Sequence, residues 1–184
     1  AGAAWILTLF VACFFRDPER HTPEDPFVVV APADGKVDLV RSGDSGTTQI
    51  SIFLSVFDVH INRSPVTGKV METTYQPGKF NMANWPEKSA DNERNTIRIL
   101  PDRDSKDEGS EVVVCQIAGA IARRIICWTK PGDVLRAGER LGLIKFGSRV
   151  DLTLPETARP VVSKGDRVRG GVDIVARWEG TDGA

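Results

Sequence analysis

Apolar and polar residues alternate with a period of two along most of this chain, and that rhythm predicts short strands rather than helices. The segments 27–30, 36–41, 47–54, 70–75, 96–100, 111–117, 141–146, 150–154 and 172–176 carry the signal. Helical periodicity is weak beyond residue 15. Residues 118–128 (AGAIARRIICW) fit helix or strand, and their β-branched residues favour strand. The expected fold is mainly β, a β-rich α+β chain. Its core is a compact barrel- or sandwich-like set of short strands, preceded by an N-terminal apolar helix, with a single domain over 27–184. Two stretches echo one another: Gly132-Asp133 through Gly138, and Gly165-Asp166 through Gly171. Each reads as a sharp Gly-Asp turn before renewed alternation, as in small β modules.

The first fifteen residues, AGAAWILTLFVACFF, are an almost unbroken apolar run closed by Arg16-Asp17-Pro18-Glu19-Arg20. A spanning helix needs roughly 20 residues, so the run is expected to be part of a longer membrane anchor; a buried core helix is the alternative. Arginines after it suit a cytoplasmic flank, and the order of charges does not suit a cleaved signal. Residues 16–26, rich in proline, read as a connector.

The 184 residues are 41% hydrophobic and 27% charged, with a net charge of −1. That length suits one core. Near-neutral charge gives no electrostatic footprint for nucleic acid. Cys13, Cys115 and Cys127 are far apart and His21 and His60 are the only histidines, so the expectation is reduced thiols and no metal.

The strand pattern breaks at Gly147-Ser148. Leu141, Leu143 and Lys145 are expected to share a face before the break, and Val150, Leu152 and Leu154 after it. The simplest reading is a turn or β-bulge. A second reading makes Ser148 a nucleophile, which requires a base. His60, in FLSVFDVHINRSPVTGKV, sits in an ordered segment and is the candidate, although a satisfied structural histidine fits equally. Asp34, in APADGKV, fits a turn or an acid that orients a base. The segment 76–95 is long and polar yet carries Phe80, Met82 and Trp85, which suit a lid, a membrane-touching tip or core packing. Residues 102–109 read as a solvated connector.

Taken together, FFRDPER, APADGKV, FLSVFDVHINRSPVTGKV, NERN, QIAGAIARRI and GERLGLIKFGSRVDLTLP resemble the phosphatidylserine decarboxylase family in its short form. The likeness runs from about Phe14 to the C-terminus. It implies a zymogen that cuts its own Gly147–Ser148 bond, giving a β chain 1–147 and an α chain 148–184. Ser148 would become a pyruvoyl group, the covalent cofactor, with His60 as base and later proton donor and Asp34 orienting it. The substrate amine would form a Schiff base with that group and lose CO₂, giving phosphatidylethanolamine. The resemblance further implies a phospholipid and membrane partner, a heterodimer of the two chains that could oligomerise further, and a place on the cytoplasmic face of the cell membrane. Arg63, Arg123 and Arg124 are candidates for the substrate phosphate, and surface solvation explains them as well. The cleavage motif departs from the best-known Leu-Gly-Ser-Thr: Phe146-Gly147-Ser148-Arg149 is expected to add charge beside the site. An ether-linked serine lipid or a free amino acid remains an alternative substrate. A non-catalytic β-barrel carrier is the alternative of another class, but no lysine stands out on a hairpin tip for modification.

Overall fold

The computed structural model describes residues 2–43, 46–81, 88–103, 110–119, 124–145 and 148–178. The N-terminal apolar run forms helix α1 (Gly2–Phe14), and fourteen strands follow among the described residues. In chain order they are β1 (Val28–Val30), β2 (Gly35–Ser42), β3 (Thr48–Leu54), β4 (Ile61–Arg63), β5 (Gly68–Gln76), β6 (Arg94–Pro101), β7 (Val112–Ile117), β8 (Ile125–Cys127), β9 (Val134–Leu135), β10 (Arg140–Ile144), β11 (Ser148–Leu154), β12 (Ala158–Pro160), β13 (Arg167–Val168) and β14 (Ile174–Trp178). The mainly β expectation holds. Of the stretch 118–128, only Ile125–Cys127 is strand among the described residues.

Eight strands form one antiparallel sheet in the order β13-β2-β3-β11-β7-β6-β5-β9, and two three-stranded sheets, β1-β14-β12 and β4-β10-β8, accompany it. Alternation sends Ile50, Ile52, Leu54, Ile97, Ile99, Val112, Val114, Val150, Leu152 and Leu154 into one shared core, all fully buried. Each such side chain contributes roughly 1.5–3 kcal/mol by leaving water.

The eight-stranded order reads the same from both ends once β13 is matched with β9, β2 with β5, β3 with β6 and β11 with β7. The two small sheets match strand for strand. The register agrees. Val29 faces Ala176 in one small sheet, and Asn62 faces Gly142 in the other. Both β2–β3 and β5–β6 slip register, after Val37 and after Val70. The echoed turns are equivalent to the bond: Val37 N–H donates to Asp166 O as Val70 N–H does to Asp133 O, and Gly165 N–H donates to Val37 O as Gly132 N–H does to Val70 O, each at 2.8 Å. Gly132, Gly138, Gly165 and Gly171 all have φ between +74° and +107°, where a side chain is strained. The molecule is therefore an internal duplication, recorded in sequence by APADGKV and SPVTGKV ahead of β2 and β5. One half is β1–β3 with β11–β14. The other, β4–β10, is inserted between β3 and β11.

This arrangement revises the reading of the Gly-Ser break. It joins β10 of a small sheet to β11 of the large one, the point where the chain leaves the inserted half. A register shift between Arg140 and Gly142 also separates two residues expected on one face: Leu141 enters the main core, whereas Leu143 joins Val59, Ile61 and Ile126 in a small second cluster.

Candidate active site

The inserted half is entered between β3 and β4 and left between β10 and β11. His60 lies on the first crossing, and Ser148 opens β11 where the second crossing ends. The strands that flank the crossings pair with one another: β3 with β11, where Leu54 faces Ser148, and β4 with β10, where Ile61 faces Leu143. The N–H of Ile144 donates to the His60 carbonyl at 3.4 Å. His60 and Ser148 are both fully buried.

His60 Nδ1 lies 2.9 Å from the Asp58 carbonyl oxygen. A carbonyl can only accept, so Nδ1 carries the hydrogen and the neutral ring presents a bare Nε2. Burial pushes the His60 pKa below its ordinary 6.5. The Asp58 carbonyl and carboxylate oppose that shift, and Arg16 adds to it. Among the described residues Nε2 has no hydrogen-bond partner, nor has the Ser148 hydroxyl. Two fully buried polar groups without partners cost about 1–3 kcal/mol each, a cost that a reactive pair explains.

A third buried group completes the set. Asn62 lies within β4, the strand that His60 immediately precedes. Its Oδ1 accepts from Gln116 Nε2 at 2.8 Å, and Gln116 Oε1 accepts from Asn95 Nδ2 at 3.0 Å. Asn62 and Gln116 are fully buried and Asn95 nearly so. Asn62 Nδ2 is left without a partner among the described residues. Gly142, facing Asn62 across β10, makes room for this chain of amides: a Cβ there would sit 2.2 Å from Ile126 O and 3.1 Å from Gln116 Nε2. The sequence held a signal for Gln116, a polar residue in step with inward-facing Val112 and Val114.

The segment after α1 is docked rather than loose. The Phe14 ring lies over His60 with centroids 4.2 Å apart. Arg16 donates to the Phe57 carbonyl at 2.7 Å, Asp17 accepts from Arg63 at 2.6 Å and pairs with Arg140, and Arg20 reaches Asp34 at 2.8 Å. Residues 14–20 thus form a strap across the entry crossing.

Asp34 takes both contacts of Arg20 and accepts the Gly170 N–H at 2.7 Å. In the other half, Thr67 Oγ1 accepts the Ala137 N–H at the equivalent turn. Asp34 is thus a turn cap with an added ion pair, and the His60 ring bonds the Asp58 carbonyl instead. Arg63 is buried and donates to Asp17, Pro18 O and Gly138 O. Its guanidinium holds the strap. Arg149 does not add charge to the site: it turns to the opposite face, pairs with Asp151 at 2.9 Å and donates to Ser89 Oγ at 3.0 Å. Arg124 is exposed and its carbonyl accepts the Lys145 N–H at 3.2 Å. Phe80 is partly exposed. Gly147, Arg123, Met82 and Trp85 lie outside the described residues. A groove of about 710 Å³ between the strap and residues 128–140 contains none of Ser148, His60 and Asn62.

The family profile described as "Phosphatidylserine decarboxylase" matches residues 7–176. Among similar proteins, the phosphatidylserine decarboxylase proenzyme of Paramagnetospirillum magneticum is 46% identical over 100% of this chain and 78% of its own length. The proenzyme of the same name from Ruegeria pomeroyi is 44% identical, covering 94% of this chain and 82% of its own, and that of Ralstonia pickettii 45% identical, covering 95% and 81%. With this site on the seam of a duplicated β fold, the chain belongs to the phosphatidylserine decarboxylase family.

Proposed function

We propose that this chain is a phosphatidylserine decarboxylase made as a proenzyme, which cuts its own Gly147–Ser148 bond and converts Ser148 into a pyruvoyl group. One observation carries the reading within this family: a neutral imidazole with a bare Nε2 and a serine hydroxyl without a partner, both fully buried on adjacent crossings. His60 Nε2 takes the Ser148 Oγ proton as Oγ adds to the preceding carbonyl carbon. The C–N bond then breaks, the amide nitrogen takes the proton back, and an ester results. Loss of the Ser148 α-proton and of the Gly147 carboxylate opens the chain, and water releases ammonia.

Residue 148 fits the group. It starts β11, a strand held between β3 and β7, so residues 148–184 stay paired with residues 1–147 after the cut as a heterodimer of chains. A pyruvoyl carbonyl supplies an electrophile for an amine and an electron sink for loss of CO₂. His60, dry beneath Phe14, holds and returns the proton that must replace CO₂. Asp34 acts as a positioning residue: through Arg20 it secures the strap that carries Phe14.

The relatives' names support a serine phospholipid as substrate. Arg124 and Lys145, at the edge of the exit crossing, are suited to its phosphate. Trp5, Ile6, Leu7 and Leu9 of α1, with Phe15 and Phe57 near His60, are exposed and support contact with a lipid surface. No described helix is long and apolar enough to cross a membrane. We place the protein on the cytoplasmic face of the cell membrane, where its unpaired cysteines stay reduced. Denaturing mass measurement tests the reading: two fragments meeting at 147/148, the smaller without a free amine, and an uncut Ser148→Ala chain. CO₂ release from diacyl and ether-linked serine lipids and from free serine then identifies the substrate. An intact wild-type chain would refute the proposal.

A further inference from the structure

We infer that Asn62 Nδ2 is the donor that receives the negative oxygen formed when Ser148 Oγ adds to the preceding carbonyl, and that Gln116 and Asn95 hold it in that role. The inference rests on the self-cleavage reading above and extends it to residues that reading does not use.

Three observations converge. The first is chemical. Gln116 has both ends of its amide engaged, accepting from Asn95 and donating to Asn62. Asn62 is therefore oriented with its oxygen spent and its NH₂ free, fully buried and unpartnered. A buried N–H held ready without a partner is what a transient oxyanion requires.

The second is placement. Gln116 faces Val150 across the β7–β11 pair. Residues directly opposite share a face, and so do residues two apart on a strand. Ser148 and Gln116 therefore project to the same side of the sheet, with Ser148 roughly 7 Å along β11. Asn62 bridges from that side to β4, where His60 stands two residues away. Ser148 Oγ, His60 Nε2 and Asn62 Nδ2 are thus gathered at one end of the core as nucleophile, base and donor.

The third is the duplication. The position equivalent to Asn62 in the other half is Val29, facing Ala176 as Asn62 faces Gly142. Ile52 faces Val150 as Ile99 faces Val112, and continuing the alternation makes Leu154 the counterpart of Gln116. Val29 and Leu154 are fully buried in the apolar core. One half fills these positions with hydrocarbon and folds, so the architecture does not demand amides. They occur only in the half that meets Ser148.

In atoms, the Oγ–C bond forms, the Oγ proton goes to His60 Nε2, and the carbonyl π pair moves to the oxygen that Asn62 Nδ2–H then bonds. Collapse returns that pair as the C–N bond breaks and the nitrogen takes the proton from His60.

The test follows self-cleavage of the full chain during cell-free synthesis, sampled by denaturing mass measurement. Asn62→Val, the residue of the other half, should slow cleavage by about 10²–10³-fold, the effect of removing one such donor. In a Ser148→Ala background it should melt no lower than its parent. Hydroxylamine, which cuts esters, should release fragments from Asn62→Val as slowly as unaided cleavage does, because the ester itself forms slowly. Asn62→Asp keeps the shape but puts a carboxylate where the oxyanion forms. Its cleavage should quicken as pH falls and the carboxyl regains a proton, opposite in sign to the wild type, whose base is lost in acid. Wild-type cleavage rates in Asn62→Val, rapid hydroxylamine release, or an acid loss in Asn62→Asp like that of the wild type would each overturn the assignment. A wild-type chain that never cleaves would instead overturn the self-cleavage reading beneath it.

Discussion

Phe14, the last residue of α1, is the lid on His60: their rings are stacked 4.2 Å apart at a 37° tilt, and both side chains are buried. The only buried residue of an otherwise exposed apolar helix is spent on drying the proposed base. The helix proposed to touch a lipid surface is thus tied to the proposed base through one buried aromatic side chain.

Phe14→Ala should open that cover. Removing a buried Phe costs about 3–5 kcal/mol in a core, and less here to the extent that water fills the gap. Rehydration would also lift the His60 pKa back toward its ordinary value, moving the acid limb of self-cleavage to higher pH. A pH profile of cleavage for Phe14→Ala against Phe14→Leu checks this; an unmoved limb would show that Phe14 does not control the base.

The depressed His60 pKa makes stability depend on pH with a definite sign. Unfolded, His60 titrates near 6.5, and folded it titrates lower, chiefly through burial. As pH falls, the unfolded state takes up the proton first. The contribution is fully present above about 6.5 and is lost progressively below it, toward the folded value. Denaturant melts of the uncut Ser148→Ala chain should show that decline, and His60→Gln should flatten it.

Asp34→Thr imports the residue that the other half uses at its equivalent turn. The cap on Gly170 survives and the Arg20 pair is lost. Cleavage should stay within about tenfold of wild type, the tenfold corresponding to about 1.4 kcal/mol of barrier, while limited proteolysis within residues 14–26 speeds up. Abolished cleavage in a normally melting protein would instead give Asp34 a direct part in the chemistry.

Arg149→Ala should be costly. It strands Asp151 in a buried position on the outer face of the large sheet. Breaking a buried pair from one side costs about 3–5 kcal/mol, whereas replacing both partners with apolar residues is often neutral. Thermal melts of Arg149→Ala and of the Arg149→Leu, Asp151→Leu double variant should therefore differ, with the double variant the more stable.

The chain itself declared the strand class, because a period of two is written locally in each segment. It declared the apolar N-terminal helix, and its motifs marked out Ser148, His60 and Asp34. Even the duplication left its trace in repeated Gly-Asp turns, since only glycine takes their positive φ without strain. What sequence could not state was which strands pair. Pairing is non-local, decided by how eight strands close around one core, and it alone puts the entry crossing of the inserted half beside its exit. That closure also decided the partners of the charged groups. Arg63 went to the strap, Arg149 to Asp151 and Asp34 to Arg20, because a buried charge must find an opposite one and spacing along the chain does not say where it is. Asn62 and Gln116 belong to the same class. As letters they are two polar residues 54 apart, and only the folded sheet brings their amides together.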